Sequence, residues 1–285
     1  MNLFVIARNT CQDSIRNRVI IVFLALSVLL MTGGLGLRYL TATDGLGAYS
    51  PTLLFIPLVF SGLAALTISV FLMPNEIDRR TIYTVLSKPI LRWEFFVGKY
   101  VGGVLAVGIV VGLMTLAMLI GSILFTMLPS PAEATLTGGA GTVTEAPLAL
   151  QIQYGIIGTL RGSLVIFFQM IVVIAIASTL SQFLTTTVNF ALTAFLWIVG
   201  SLQWIISALA NRNEQGLFVV PLLLKALYYV TPHFNDLNIV GGFVTPEVPI
   251  KTGLAQFALL VGTHGLVYAA VAILVGVLVF ERREV

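Results

Sequence analysis

Apolar residues fill six long stretches of the chain, at about 19–40, 52–73, 100–127, 160–180, 185–209 and 257–280. A helix crossing roughly 30 Å of hydrocarbon needs about 20 apolar residues, and each stretch meets that length. The runs are continuous rather than alternating, which predicts helices and not the strands of a barrel. A seventh run, LFVVPLLLKALYYV at 217–230, is too short to span and contains Pro221 and Lys225. It predicts a broken, re-entrant or interfacial element before the last span. The expected fold is therefore all-α: one polytopic membrane domain over 1–285, with six transmembrane helices.

Polar positions between the runs carry their own pattern. On a helical wheel of residues 1–18, Leu3, Ala7, Cys11 and Ile15 form one stripe with Phe4 beside it. Arg8, Gln12 and Arg16 form another, flanked by Asn9 and Asp13, while Val5, Ile6 and Arg18 sit off pattern. Such a helix can lie in the membrane interface, apolar face toward the lipid and arginines toward the headgroups. The plainer alternative is a solvated tail ahead of the first span.

The connector at 74–99 is more informative. It gathers Glu76, Asp78, Arg79, Arg80, Lys88, Arg92, Glu94 and Lys99, in a chain with only 15 Lys/Arg and 12 Asp/Glu. Residues 76–87 contain no Gly or Pro. They place Ile77, Thr81, Ile82, Val85 and Leu86 across one half of a wheel, and Arg79, Arg80, Tyr83 and Ser87 across the other; Asp78 is the exception. The pattern is that of a short amphipathic helix outside the membrane. Pro89 disfavours helix at Lys88 and breaks it, and a second segment, Arg92 to Lys99, then leads into the third span. A plug for a protein partner and a helix lying on the membrane surface both fit the wheel.

Composition agrees with the membrane reading. The chain has 285 residues, 58% hydrophobic and 9% charged, with a mean hydropathy of +1.02, where a soluble domain carries about 25% charge. A net charge of +3, concentrated in loops, points away from nucleic acid. Cys11 is the only cysteine, so no intrachain disulfide or cysteine metal cluster can form. The first run is too long for a signal-peptide core. Arg8, Arg16, Arg18, the five basic residues of 74–99, Arg282 and Arg283 fall on one side of a six-span topology. By the positive-inside rule that side is the cytoplasm, which holds both termini. The connectors at 128–159 and 211–256 then lie outside.

Chemistry-bearing motifs are scarce. The two histidines, His233 and His264, have no H-E-x-x-H context, and there is no G-x-S-x-G elbow, so neither catalytic nor metal-binding residues are expected. Within the spans, Gln169, Asn189 and Gln203 could line a substrate path, or serve helix–helix hydrogen bonds. Arg161, at the outer end of the fourth span, reads as a snorkelling side chain. Gly98, Gly102, Gly108 and Gly112 give two G-x-x-x-G spacings in and just before the third span, which predict close helix packing within the subunit or across a dimer.

The stretch EIDRRTIYTVLSKPILRWEFFVGK, residues 76–99, resembles the first cytoplasmic loop of ABC-2 type transporter permeases. That family's pattern runs roughly E-x-x-x-G-T-(L/I)-x-x-L-L-S-x-P-(I/V)-x-R, five or six further residues, then G-K. Arg80 stands where the family often has Gly, and Val85 where it often has Leu. The six spans, the N-terminal helix, the broken element and the charged tail Glu281-Arg-Arg-Glu284 are similar too, as is Thr231–Asn238 to an external segment of the six-span branch. The resemblance implies that Glu76, Arg79, Arg80, Thr81, Ile82, Leu86, Ser87, Pro89, Arg92 and Lys99 form a coupling element for a separate ATPase. It also implies two permease subunits, identical or different, with two ATPase copies that hold ATP and Mg. A G-x-x-x-x-G-K-[ST] loop is absent here, since Gly98-Lys99 is followed by Tyr100; this chain is expected to bind no cofactor itself. Outward movement of an amphiphilic, lipid-like cargo is the expectation, with membrane lipids and an extracytoplasmic accessory protein as further partners. A membrane anchor for an ATPase, or an intramembrane enzyme, are the rivals; a role in assembling a metal or redox enzyme, known for one branch, stays open.

Overall fold

The computed structural model describes residues 3–34, 45–72, 92–127, 148–202, 234 and 254–282. These residues form seven helices and, among them, no strand: α1 Leu3–Ile15, α2 Arg18–Gly34, α3 Gly45–Phe71, α4 Arg92–Met127, α5 Leu148–Leu180, α6 Thr186–Ser201 and α7 Leu254–Arg282. Four of them, α3, α4, α5 and α7, are long and apolar enough to cross a membrane. α1 and α2 together make a fifth if the pair, bent by 61°, counts as one. α6 is apolar but has only 16 residues. The bend has a local cause. The Asn17 Oδ1 accepts the Val19 N–H at 3.1 Å, satisfying one of the orphan donors at the start of α2 and so favouring a new helix there.

Helix α5 is the hub of the bundle and touches α3, α4, α6 and α7. Its run Val165, Ile166, Met170, Ile171, Val172, Val173 and Ile174 is buried on all sides, as expected of a helix that is apolar all round. α7 closes against it through small residues. Gly262 and Gly265 lie on Phe168, and Gly276 lies on Phe96 and Thr179. The outward faces of α2, α4, α6 and α7 remain apolar, with Leu29, Leu116, Phe195 and Leu274 all exposed. In water such faces would be costly; against lipid tails they are not, so contact between these helices rests on close packing and polar bonds.

Several boundaries differ from the sequence expectation. α4 is one unbroken helix from Arg92, so Arg92–Lys99, expected to lead into the third span, is continuous with its helix, which begins before residue 100. No proline interrupts it, and Glu94 in its first turn complements the positive helix end. α5 begins at Leu148, well before 160, because a helix continues past the hydrocarbon edge wherever its backbone has no reason to stop. Arg161 therefore sits inside a membrane-length segment, Gly155–Leu180, and at 3% exposure it is enclosed by protein. It does not snorkel along the helix surface. The run at 217–230, residues 76–89 of the connector and Gln203 lie outside the described residues.

Candidate functional site

The ends of the connector are described, and they meet. α3 ends at Phe71 and Leu72 follows in a turn, its N–H bonded to the Ser69 carbonyl. Twenty-seven residues later, Lys99 lies buried at 4% exposure. Its Nζ donates to the Leu72 carbonyl at 2.5 Å and stands 5.1 Å from the centre of the Phe95 ring. The last carbonyls of a helix have no intrahelical donor and carry the negative end of the dipole. An ammonium placed there answers both. One turn further, Gly103 lets Leu72 seat on α4, since an added Cβ would come within 2.9 Å of its Cδ1.

α1 docks on the same part of α4. A Cβ at Gly102 would lie 2.6 Å from the Ala7 carbonyl oxygen and 2.6 Å from the Thr10 Cβ; at Gly98 it would lie 3.1 Å from Ile6. The Ala7 and Cys11 stripe is buried, and the helix it meets is α4. The stripe assigned to lipid is thus taken up by the third span. Leu3 is half-buried, Arg8 and Arg16 are exposed, and Phe4, at 71% exposure, is the apolar side chain that α1 leaves most open. Ile6 packs on a small cluster of Phe95, Phe96 and Phe280, which joins α1, α4 and the end of α7. Four elements therefore converge beside the connector. The side chain of Arg92, like residues 76–89, is outside the described set.

The glycine spacings divide. Gly98 and Gly102 receive α1, Gly108 receives Phe167 of α5, and nothing lies within 4 Å of the position a Cβ would take at Gly112. Gly112 instead lines an open groove of about 420 Å³ between α4 and α5, with Gly108, Val111, Thr115, Ser163 and Phe167.

Neither described interior amide lines that groove. Gln169, fully buried, donates from Nε2 to Ser201 Oγ of α6 at 3.2 Å. Asn189, also fully buried, donates from Nδ2 to the Ala177 carbonyl of α5 at 3.1 Å, and its Oδ1 accepts from Thr193 at 3.1 Å. Both amides hold α5 to α6. The Gln169 Oε1 and the Trp197 Nε1 are buried without a hydrogen-bond partner, and the Trp197 ring rests on Gly62 of α3. A second polar latch joins α5 to α7, where Thr179 Oγ1 reaches the Ala272 carbonyl at 2.9 Å and Gln182 Nε2 donates to the Gly276 carbonyl at 3.0 Å. Sequence reasoning passed over Thr179, Gln182, Trp197 and the capping role of Lys99. A signal existed for Lys99: it follows Phe95 and Phe96 at helical spacing, which already places it on a buried face. Among the described residues, no group of three or more His, Cys, Asp or Glu gathers as metal ligands would.

No family model matches this chain, and a comparison with curated proteins finds no match.

Proposed function

We propose that this chain is the permease subunit of an ABC-2 type transporter, with six spans in the cytoplasmic membrane and both termini inside. ATP and Mg belong to a separate ATPase, which engages the 74–99 connector, and the substrate moves outward. The observation that carries the reading is the 76–99 motif itself, an amphipathic segment with E-x-x-x-x-T-I, L-S-x-P-I and G-K at the family's spacings. The geometry around it supports a transmitting role. The motif leaves α3 and enters α4 where these two helices, α1 and the end of α7 converge, so a load applied to the connector enters the bundle at a junction of four elements. The expected assembly is two permease chains, identical or different, with two ATPases. Mass measurement of the intact complex, extracted in mild detergent from its native membrane, tests this. Two permease chains with two phosphate-loop ATPase chains is the expected result; a lone chain that transports without one overturns the proposal.

A further inference from the structure

We infer that Lys99 ties the end of α3 to the start of α4, so that the two helices open and move as one unit. Three observations carry this. First, the Lys99 ammonium is buried and bonded to the Leu72 carbonyl across 27 residues of chain. Buried polar contacts escape the salt screening that weakens exposed ones, and a charge-assisted bond is about twice as strong as a neutral one. Second, the ammonium also stands on the Phe95 ring, one turn earlier on α4; a desolvated cation gains most from an aromatic face. The side chain is therefore held on α4 and spent on α3. Third, the contact beside it is sterically close, with Leu72 filling the space that a side chain at Gly103 would need. A lysine merely satisfying its own charge would not need both helix ends brought so near. The consequence is that Leu72 and Lys99, which flank the intervening stretch, are fastened to each other, so a pull transmitted through that stretch reaches α3 and α4 together. That consequence for coupling rests on the transporter reading; the tie itself does not.

Hydrogen exchange on the purified chain without any ATPase tests the tie, read by mass spectrometry over peptides covering 68–72 and 96–102. Lys99→Met keeps the stem and removes the donor. Losing a charge-assisted hydrogen bond speeds opening by about 10- to 150-fold, and a shared opening unit exchanges at one common rate. The expected result is that both peptides accelerate by the same factor in Lys99→Met, while Val165–Ala175 of α5 keeps its protection. Lys99→Arg, which retains a donor and a charge, restores most of the protection. If only 68–72 accelerates, Lys99 caps α3 without binding α4 to it, and the inference fails. It fails equally if α5 loses protection to the same extent, which makes Lys99 a support of the whole bundle, or if nothing changes. Failure of the transporter reading shows elsewhere, in the mass of the extracted complex.

Discussion

Gly102→Ala should lift α1 away from α4. The new Cβ would lie 2.6 Å from the Ala7 carbonyl oxygen, a backbone atom that no rotamer change can move, and 2.6 Å from the Thr10 Cβ. The helix must shift instead. Overpacking of this kind costs about 1–3 kcal/mol, a factor of about 5 to 150 in the population of the undocked state. Alanine also favours the helix itself by roughly 0.5–1 kcal/mol, but that gain stays within α4 and does not resist undocking. The chain supplies its own reporter, because Cys11 is its only cysteine and is buried on the face of α1 turned to α4. Where opening is fast relative to reaction, labelling tracks the open population. Maleimide labelling of Cys11 should therefore accelerate about 5- to 150-fold in Gly102→Ala and stay at the wild-type rate in Gly112→Ala, where an added Cβ has nothing within 4 Å. Equal rates in Gly102→Ala and wild type would refute the packing argument. Equal acceleration in both variants would refute the division of the glycine stripe.

Asn189→Leu removes two buried hydrogen bonds, yet the Ala177 carbonyl keeps the Ser181 N–H as donor. The loss should therefore stay near the average of about 0.6 kcal/mol measured for membrane-buried polar pairs, read as a modest fall in unfolding midpoint in detergent. Gly276→Leu should cost more, about 1–3 kcal/mol, since its Cβ would meet Phe96 at 2.6 Å and Thr179 Oγ1 at 2.9 Å and break the α5–α7 latch. In the same midpoint assay Gly33→Leu, with nothing within 4 Å, should match wild type.

The apolar runs at 52–73, 100–127, 160–180 and 257–280 were readable as long helices because hydropathy is a sum over many residues and tolerates local error. Helix ends were not, because they depend on single contacts. The third span was bounded at about 100 because the charges of Arg92, Glu94 and Lys99 break the apolar pattern; the helix itself runs uninterrupted from Arg92. Leu148–Tyr154 was placed in the outer connector at 128–159, and the helix of the fourth span extends back through it as α5. Polarity at membrane depth correctly pointed Gln169 and Asn189 toward the bundle interior. It could not choose between a path and a helix bond, since both need an inward amide and differ only in which atom lies opposite. The α1 wheel found the right stripe in Ala7 and Cys11, but hydropathy does not distinguish lipid from a glycine-lined helix as its partner. Those two glycines, Gly98 and Gly102, held the missing information.

The central claim, that 74–99 engages an ATPase, is tested most directly by Leu86→Asp. If Leu86 is an anchor buried in the partner, removing it forfeits about 1.5–3 kcal/mol, and a buried carboxylate adds a larger penalty. Rim arginines contribute less. Each variant is expressed with a topology reporter fused after Val285, extracted in mild detergent, and scored for the ATPase that co-purifies. The account predicts that Leu86→Asp inserts normally with a cytoplasmic C-terminus and loses the ATPase, while Arg79→Ala and Arg80→Ala retain most of it. Full retention of the ATPase and of transport in Leu86→Asp, with only topology disturbed when the arginines are removed, would contradict the account and leave the connector a basic loop.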